Sequence, residues 1–292
     1  MPFADDFKEI VKLDEPLAPL TWFRLGGPAQ YLAAPRSREE LAALVKRARE
    51  EELPVRLLGG GSNVLISDAG LPGLTIQLTD PCFNQIQVSG GLLTAGGGAK
   101  LGHVVSTSVR EGLAGMETLV GIPGTVGGAL HGNSGGRGGD IGQWTCEALV
   151  MTHAGEIIHR KRKELVFAYR ASSLDELVIL EGKFQLEKDD PTELVKRMQK
   201  LWIVKKSTQP LSHQNAGCIF KNPRGMSAGM LIDQAGFKGL RVGGAEVSDR
   251  HANFIITHPG ATSRDVQELI TQIQEQIAER LGVTLELEIA IW

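Results

Sequence analysis

The sequence predicts an α+β protein of three consecutive regions. A capped amphipathic helix is followed by two short apolar strands near the N-terminus, strand-like segments surround one helix in the middle, and a long final helix runs into an alternating strand. At 292 residues, 42% of them hydrophobic, the chain is long enough to bury a core in each region.

In the first region, residues 1–78, Ser37 followed three positions later by Glu40 forms a capping box for a helix N-terminus. Leu41, Leu44, Val45 and Ala48 then recur at helical spacing before Pro54. "PVRLLGGGSNVLI" reads as a strand entering a glycine loop and "GLTIQL" as a further strand, so residues 20–78 make a compact β-α-β unit. The second region, 79–204, carries the strand-like pieces "LLTAGG", "EALVMTHAGEIIHR" and "LVILEGKFQL", a helix near 100–112 and a glycine-rich loop over 121–139. It closes on a helix with Asp190 as N-cap and Pro191 at the first helical position, and with Leu194, Val195, Met198, Leu201 and Trp202 as its apolar face. The third region, 205–292, has a helix over 264–281. Thr262 and Asp265 open it, Val266, Leu269, Ile270, Ile273, Ile277 and Leu281 line one face, and Gly282 stops it. In "VTLELEIAIW", Leu285, Leu287, Ile289 and Ile291 alternate with Glu286, Glu288 and Ala290, so a terminal strand projects both carboxylates from one side.

A net charge of −3 with both signs scattered supplies no basic surface for a nucleic acid. The acidic start "MPFADDFKEIVKLDEP" lacks the order of an export signal and no apolar run reaches membrane-spanning length, so a cytoplasmic protein with no membrane partner is expected. Cys82, Cys146 and Cys218 are odd in number, with no C-x-x-C pair and no histidine at zinc-ligand spacing. Free thiols and no metal are therefore expected.

Glycine is in excess, 36 residues, and clustered. "LGGGSNVLISDAGLPG", 58–73, sets Gly59, Gly60 and Gly61 after a strand, where backbone N–H groups can approach a phosphate. Val64 takes the place of the last glycine of G-x-G-x-x-G, and no G-x-x-x-x-G-K-[ST] occurs. A second run, "GIPGTVGGALHGN" at 121–133, makes a pair suited to a pyrophosphate, although a structural crossing of two tight loops accounts for the glycines as well. In "FAYRAS", Tyr169 precedes Arg170, which is either a surface side chain or a bidentate grip on a carboxylate or phosphate. Glu286 and Glu288 also fit the solvated face of a strand. Cys218, in "NAGCIFKNP", reads as a small buried hydrophobe or as a working thiol among Asn215, Lys221 and Asn222. Such a thiol either donates a proton to a basic carbon or attacks as a nucleophile, with His213 the nearest base in sequence.

These stretches stand in a fixed order: "RLGGPA" at 24, "LGGGSNVLISD" at 58, "GIPGTVGGA" at 121, "YRAS" at 169, "GCIFKNP" at 217, "AGMLIDQAGFKG" at 228, "SDRHANFI" at 248 and "LELEI" at 285. From about residue 20 to the C-terminus the chain resembles the UDP-N-acetylenolpyruvoylglucosamine reductases (MurB), flavoenzymes of peptidoglycan precursor synthesis. The resemblance implies a flavin domain of the vanillyl-alcohol-oxidase (PCMH) type in the first two regions. It implies an α+β substrate domain in the third, with the C-terminal strand returning towards the flavin cleft. Non-covalent FAD is implied between the glycine loops, with Gly59, Gly60, Gly61, Ser62 and Asn63 at its pyrophosphate and Ile122, Pro123, Gly124, Thr125, Gly127 and Gly128 as a second wall.

The implied reaction takes NADPH as reductant and the enolpyruvyl ether of UDP-N-acetylglucosamine as substrate, giving UDP-N-acetylmuramate. Hydride from the flavin reaches the β-carbon of the ether, charge spreads from the adjacent carbon into the carboxylate, and the enolate must be stabilised and protonated. Arg170 matches the family's arginine at that carboxylate, Glu288 its carboxyl partner, and Cys218 the place where most members carry a proton-donating serine. A thiol is more acidic than an alcohol, so Cys218 is expected to be the general acid, with inactivation by peroxide or iodoacetamide that substrate prevents. Tyr169 is implied beside nicotinamide and substrate, and Lys206 and Asn222 at the diphosphate or uridine. The 47 residues between Arg170 and Cys218 resemble the short type of enzyme, which lacks the substrate-capping tyrosine loop. Leu20 before Thr21, and "HGNSGGRGG" at 131–139, depart from the family pattern in local flavin and sugar contacts. A flavin oxidase of the same fold, a non-catalytic UDP-sugar or flavin-binding protein and a thiol hydrolase are the competing readings, and a monomer is favoured.

Overall fold

The structure is a computed structural model that describes residues 3–136 and 138–292. Two compact units emerge: one comprises residues through Glu15, Gln30–Gly60 and Pro72–Ile203, the other Pro16–Ala29, Gly61–Leu71 and Val204–Trp292.

The first unit holds most of a four-stranded sheet, in the order Val11–Pro16, Pro28–Ala33, Leu71–Ile76, Val55–Leu57, its last pair parallel. The helix Arg38–Glu50 packs on it. As the sequence predicts, the Ser37 hydroxyl accepts the Glu40 N–H at 3.2 Å, but the Glu40 carboxylate closes on the Arg36 N–H at 2.7 Å. Leu41, Leu44, Val45 and Ala48 are buried in one cluster with Leu74 and Ile76. A second, five-stranded sheet is antiparallel throughout, in the order Ile157–Lys161, Thr145–Met151, Val178–Gln185, Leu92–Gly96, Ile86–Ser89. Helices Leu101–Arg110 and Val126–His131 contribute Leu101, Val104, Val105, Val126, Ala129 and Leu130 to its core. In the helix Pro191–Thr208, Asp190 caps through the Thr192 N–H at 2.8 Å. The expected apolar face is fully buried only at Leu194, while Trp202 is 40% exposed.

The second unit is built around the helix Ser263–Leu281. Thr262 and Asp265 complete the predicted capping box and Gly282, at φ +66°, terminates the helix in the left-handed conformation. Val266, Leu269, Ile270, Ile273 and Ile277 are buried, each contributing about 1.5–3 kcal/mol. Packing of this stripe outweighs the cap, which contributes about 1 kcal/mol. A three-stranded antiparallel sheet, Arg241–Val242, Ala245–Val247 and Ile255–Thr257, and the helix Ala228–Gln234 complete the layer.

Two expectations change here. Residues 20–78 do not close on themselves, since 16–29 and 61–71 belong to the second unit, where Val64–Leu65 pairs in parallel with Ala290–Ile291. The terminal segment is a regular strand only over Ala290–Ile291. Upstream, the Lys221 N–H donates to the Glu286 carbonyl and the Glu288 N–H to the Ile219 carbonyl, both at 2.8 Å, before the chain changes partner. Leu285 and Ile289 are buried but Ile291 is exposed. Among the described residues no helix is long and apolar enough to cross a membrane, and no His/Cys/Asp/Glu cluster could hold a metal.

Candidate active site

The two glycine runs meet within the first unit. A Cβ on Gly60 would lie 2.6 Å from the Gly124 Cα, and one on Gly59 would lie 2.8 Å from the Thr125 hydroxyl, so backbone lies on backbone. Among the described residues, the Gly59 and Gly60 amides donate to no protein acceptor. The second loop uses its amides internally: Gly127 donates to the Gly97 carbonyl at 2.8 Å, and Gly128 to the Thr125 hydroxyl at 3.4 Å, the N-cap of Val126–His131. Gly128 is nevertheless open, since the nearest neighbour to a Cβ there is that hydroxyl at 3.6 Å.

In the second unit the same glycine run continues through Gly61, whose φ of +62° suits glycine and whose Cβ position is filled by the Leu20 carbonyl oxygen. The Gly61 carbonyl accepts the Trp22 N–H at 2.9 Å. Among the described residues, the amides of Gly61, Ser62 and Asn63 also donate to no protein acceptor. Consecutive N–H groups left for a ligand fit the oxygens of a pyrophosphate, so these residues suit FAD. The Asn63 side chain is engaged otherwise, donating to the Glu288 carbonyl at 3.0 Å.

Arg170 stands in the two-residue tip of the hairpin that pairs Phe167–Ala168 with Ala171–Ser172. Its φ of +55° is sparsely populated for a residue with a Cβ and costs on the order of 1 kcal/mol. The guanidinium lies 5.5 Å from the Tyr169 ring centre and donates to the Gly135 carbonyl at 3.0 Å. Tyr169 itself is 54% exposed. The hairpin is anchored by buried Asn133, whose amide donates to the Ala168 carbonyl at 2.8 Å and accepts the Gly142 N–H at 3.0 Å. Sequence reasoning missed Asn133; its only signal is an asparagine among glycines, a residue that tolerates its φ of +42°.

Cys218, partly buried, follows Gly217, whose N–H donates to the Asn215 side chain at 3.0 Å. It bridges antiparallel to Phe254. The next residue, Ile219, donates its N–H to the Asn253 carbonyl at 2.9 Å and accepts the Glu288 N–H at 2.8 Å. The thiol and Glu288 are thus carried on adjoining segments joined one residue beyond the thiol. Glu286 lies 3.6 Å from the Lys221 ammonium with its side chain 76% exposed, a surface pair of little energetic weight. Burial, aided by Asp80, pushes the Cys82 thiol up to about 11, and burial raises Cys146, so both stay protonated and slow to react. His213 is exposed and hydrogen-bonds the Ser212 hydroxyl through Nδ1 at 3.1 Å.

Two of the expected ligand contacts have structural partners as well. Asn222 accepts the Ala228 N–H at 3.0 Å, holding the start of the helix Ala228–Gln234. Lys206 is exposed, and its carbonyl accepts from the Arg250 guanidinium at 3.2 Å.

Residues 29–160 match the family model of an FAD binding domain, and residues 209–292 match that of the UDP-N-acetylenolpyruvoylglucosamine reductase C-terminal domain. The UDP-N-acetylenolpyruvoylglucosamine reductase 2 of Symbiobacterium thermophilum is 41% identical over 100% of this chain and 97% of its own length. The chain belongs to the UDP-N-acetylenolpyruvoylglucosamine reductase family. The reductase of Moorella thermoacetica is also 41% identical, over 97% of this chain and 93% of its own. The crystal structure of the reductase from Thermus caldophilus superposes with a TM-score of 0.82 at 38% identity, covering 97% of this chain and 98% of that one. The fold is accordingly the α+β flavin fold expected, with the reductase C-terminal domain, and the enzyme is an FAD-dependent oxidoreductase.

Proposed function

We propose that this cytoplasmic enzyme uses NADPH to reduce the enolpyruvyl ether of UDP-N-acetylglucosamine-enolpyruvate to UDP-N-acetylmuramate, with Cys218 delivering the proton. The observation that carries this reading is the Ile219 carbonyl, which ties the thiol segment to the N–H of Glu288 at 2.8 Å. Bound FAD supplies a hydride, taken from NADPH, to the β-carbon of the ether.

The remaining demands fall on the chain. The amides of Gly59, Gly60, Gly61, Ser62 and Asn63 hold the pyrophosphate, and Ile122, Pro123, Gly124, Thr125, Gly127 and Gly128 form the second wall. Arg170, already aimed by its bond to Gly135, grips the substrate carboxylate into which charge spreads. Glu288 donates a second hydrogen bond as a carboxylic acid. The Cys218 S–H bond then breaks, its proton passes to the α-carbon, and the thiolate is reprotonated from solvent. Hydride and proton together replace the carbon–carbon double bond by two C–H bonds. Tyr169 lines the nicotinamide and substrate site, and Lys206 and Asn222 meet the diphosphate or uridine. In this reading residues 1–78 and 79–204 serve the flavin and 205–292 the substrate, and the enzyme acts as a monomer.

An anaerobic flavin titration tests the activity. Absorbance near the flavin maximum should fall with NADPH and return with the enolpyruvyl substrate, one product formed per flavin. Return only on admitting oxygen would make the protein an oxidase, and no fall with NADPH would make it a binding protein.

A further inference from the structure

The geometry points to Asn253 as a positioning residue that sets Cys218 against Glu288. It rests on the reading of Cys218 as the proton donor. Asn253 is 3% exposed, and its polar groups converge on the segment next to the thiol. Its carbonyl accepts the Ile219 N–H at 2.9 Å, its Oδ1 accepts the Phe220 N–H at 2.9 Å, and its Nδ2 donates to the Phe220 carbonyl at 2.8 Å. Its own N–H donates to His251 Nδ1 at 3.3 Å, and burial lowers the His251 pKa, which favours the neutral imidazole that such an acceptor requires.

This clamp fixes both peptide groups flanking the Ile219–Phe220 step. With the Ile219 N–H and both polar groups of Phe220 taken by Asn253, the Ile219 carbonyl is turned to the other side, where it receives the Glu288 N–H at 2.8 Å. The Lys221 N–H to Glu286 carbonyl and Glu288 N–H to Ile219 carbonyl bonds set the register of the two segments, and the Asn253 side chain holds Phe220, between them, in the orientation that both bonds need. Only an amide fits: it presents a donor and an acceptor together, matching the Phe220 carbonyl and N–H. An aspartate would keep the acceptor and set oxygen against the Phe220 carbonyl.

A double-mutant cycle on the FAD-loaded full chain tests this, using Asn253→Asp, with Asn253→Ala as second variant, alone and combined with Cys218→Ala. Bleaching by NADPH and return of colour with the enolpyruvyl substrate are timed separately. In the wild-type background, return of colour should slow by roughly 10- to 100-fold while bleaching stays within about twofold. In the Cys218→Ala background the same change should add less than about threefold, because a positioning residue has nothing left to position. Slowing that multiplies fully with Cys218→Ala, slowing of both steps alike, wild-type rates, or failure of both variants to fold would each overturn the inference. The Cys218→Ala arm by itself separates the failures: undiminished return of colour there removes the acid role, whereas a slow return there beside a fast one in Asn253→Asp removes only the positioning role.

Discussion

Gly60 and Gly61 face neighbouring backbone that leaves no room for a Cβ, at the Gly124 Cα and the Leu20 carbonyl, whereas at Gly128 the nearest neighbour to a Cβ stands 3.6 Å away. The first run needs glycine for its own path, and among the described residues its amides donate to no protein acceptor. The second has its Gly127 and Gly128 amides bonded within the protein, and Gly128 keeps room for a side chain. The backbone thus requires glycine at Gly60 and Gly61 and does not require it at Gly128.

Substitutions by alanine sharpen or break that contrast. The largest effect is expected at Gly61→Ala, which combines a positive φ with a blocked Cβ. Stability measured by denaturant should fall by about 3 kcal/mol or more, and the protein should purify without flavin. At Gly60→Ala the Cβ meets backbone but no positive φ is imposed, so a loss of about 1–3 kcal/mol is expected, with weakened FAD binding by titration. Gly128→Ala should give the smallest change in the flavin-free protein, neutral or up to about 1 kcal/mol more stable, because alanine favours the helix Val126–His131. It should still weaken FAD binding. Unchanged FAD affinity would remove Gly128 from the second wall, and a melting loss as large as that of Gly61→Ala would erase the distinction between the loops.

Local signals carried much of the architecture. Ser37 and Glu40, Asp190 and Pro191, and Thr262, Asp265 and Gly282 mark helix ends by chemistry complete within a few residues, and each helix begins or stops there. The long-range pairings were silent. Nothing near residues 61–71 signals a pairing with 290–291, since parallel neighbours so far apart share no periodicity. For the same reason the clamps Asn133 and Asn253 escaped notice: each bonds backbone far away in sequence, and an isolated asparagine looks the same in any loop. The face of Pro191–Thr208 was legible as apolar but not as exposed, because periodicity reports a stripe and not whether anything covers it. Among the candidate site residues, the backbone bond from the Glu288 N–H to the Ile219 carbonyl, which adjoins the segments carrying Cys218 and Glu288, has no local signal in the sequence.

The central claim is that the Cys218 thiol supplies the proton after hydride transfer. The most direct measurement is stopped-flow absorbance of the pre-reduced flavin mixed anaerobically with the enolpyruvyl substrate, in wild type and Cys218→Ala. The account predicts equal bleaching by NADPH in both and a return of colour slowed by roughly 100-fold or more in the variant. A variant that regains colour and forms product as fast as wild type would contradict it and leave Cys218 as a packed side chain.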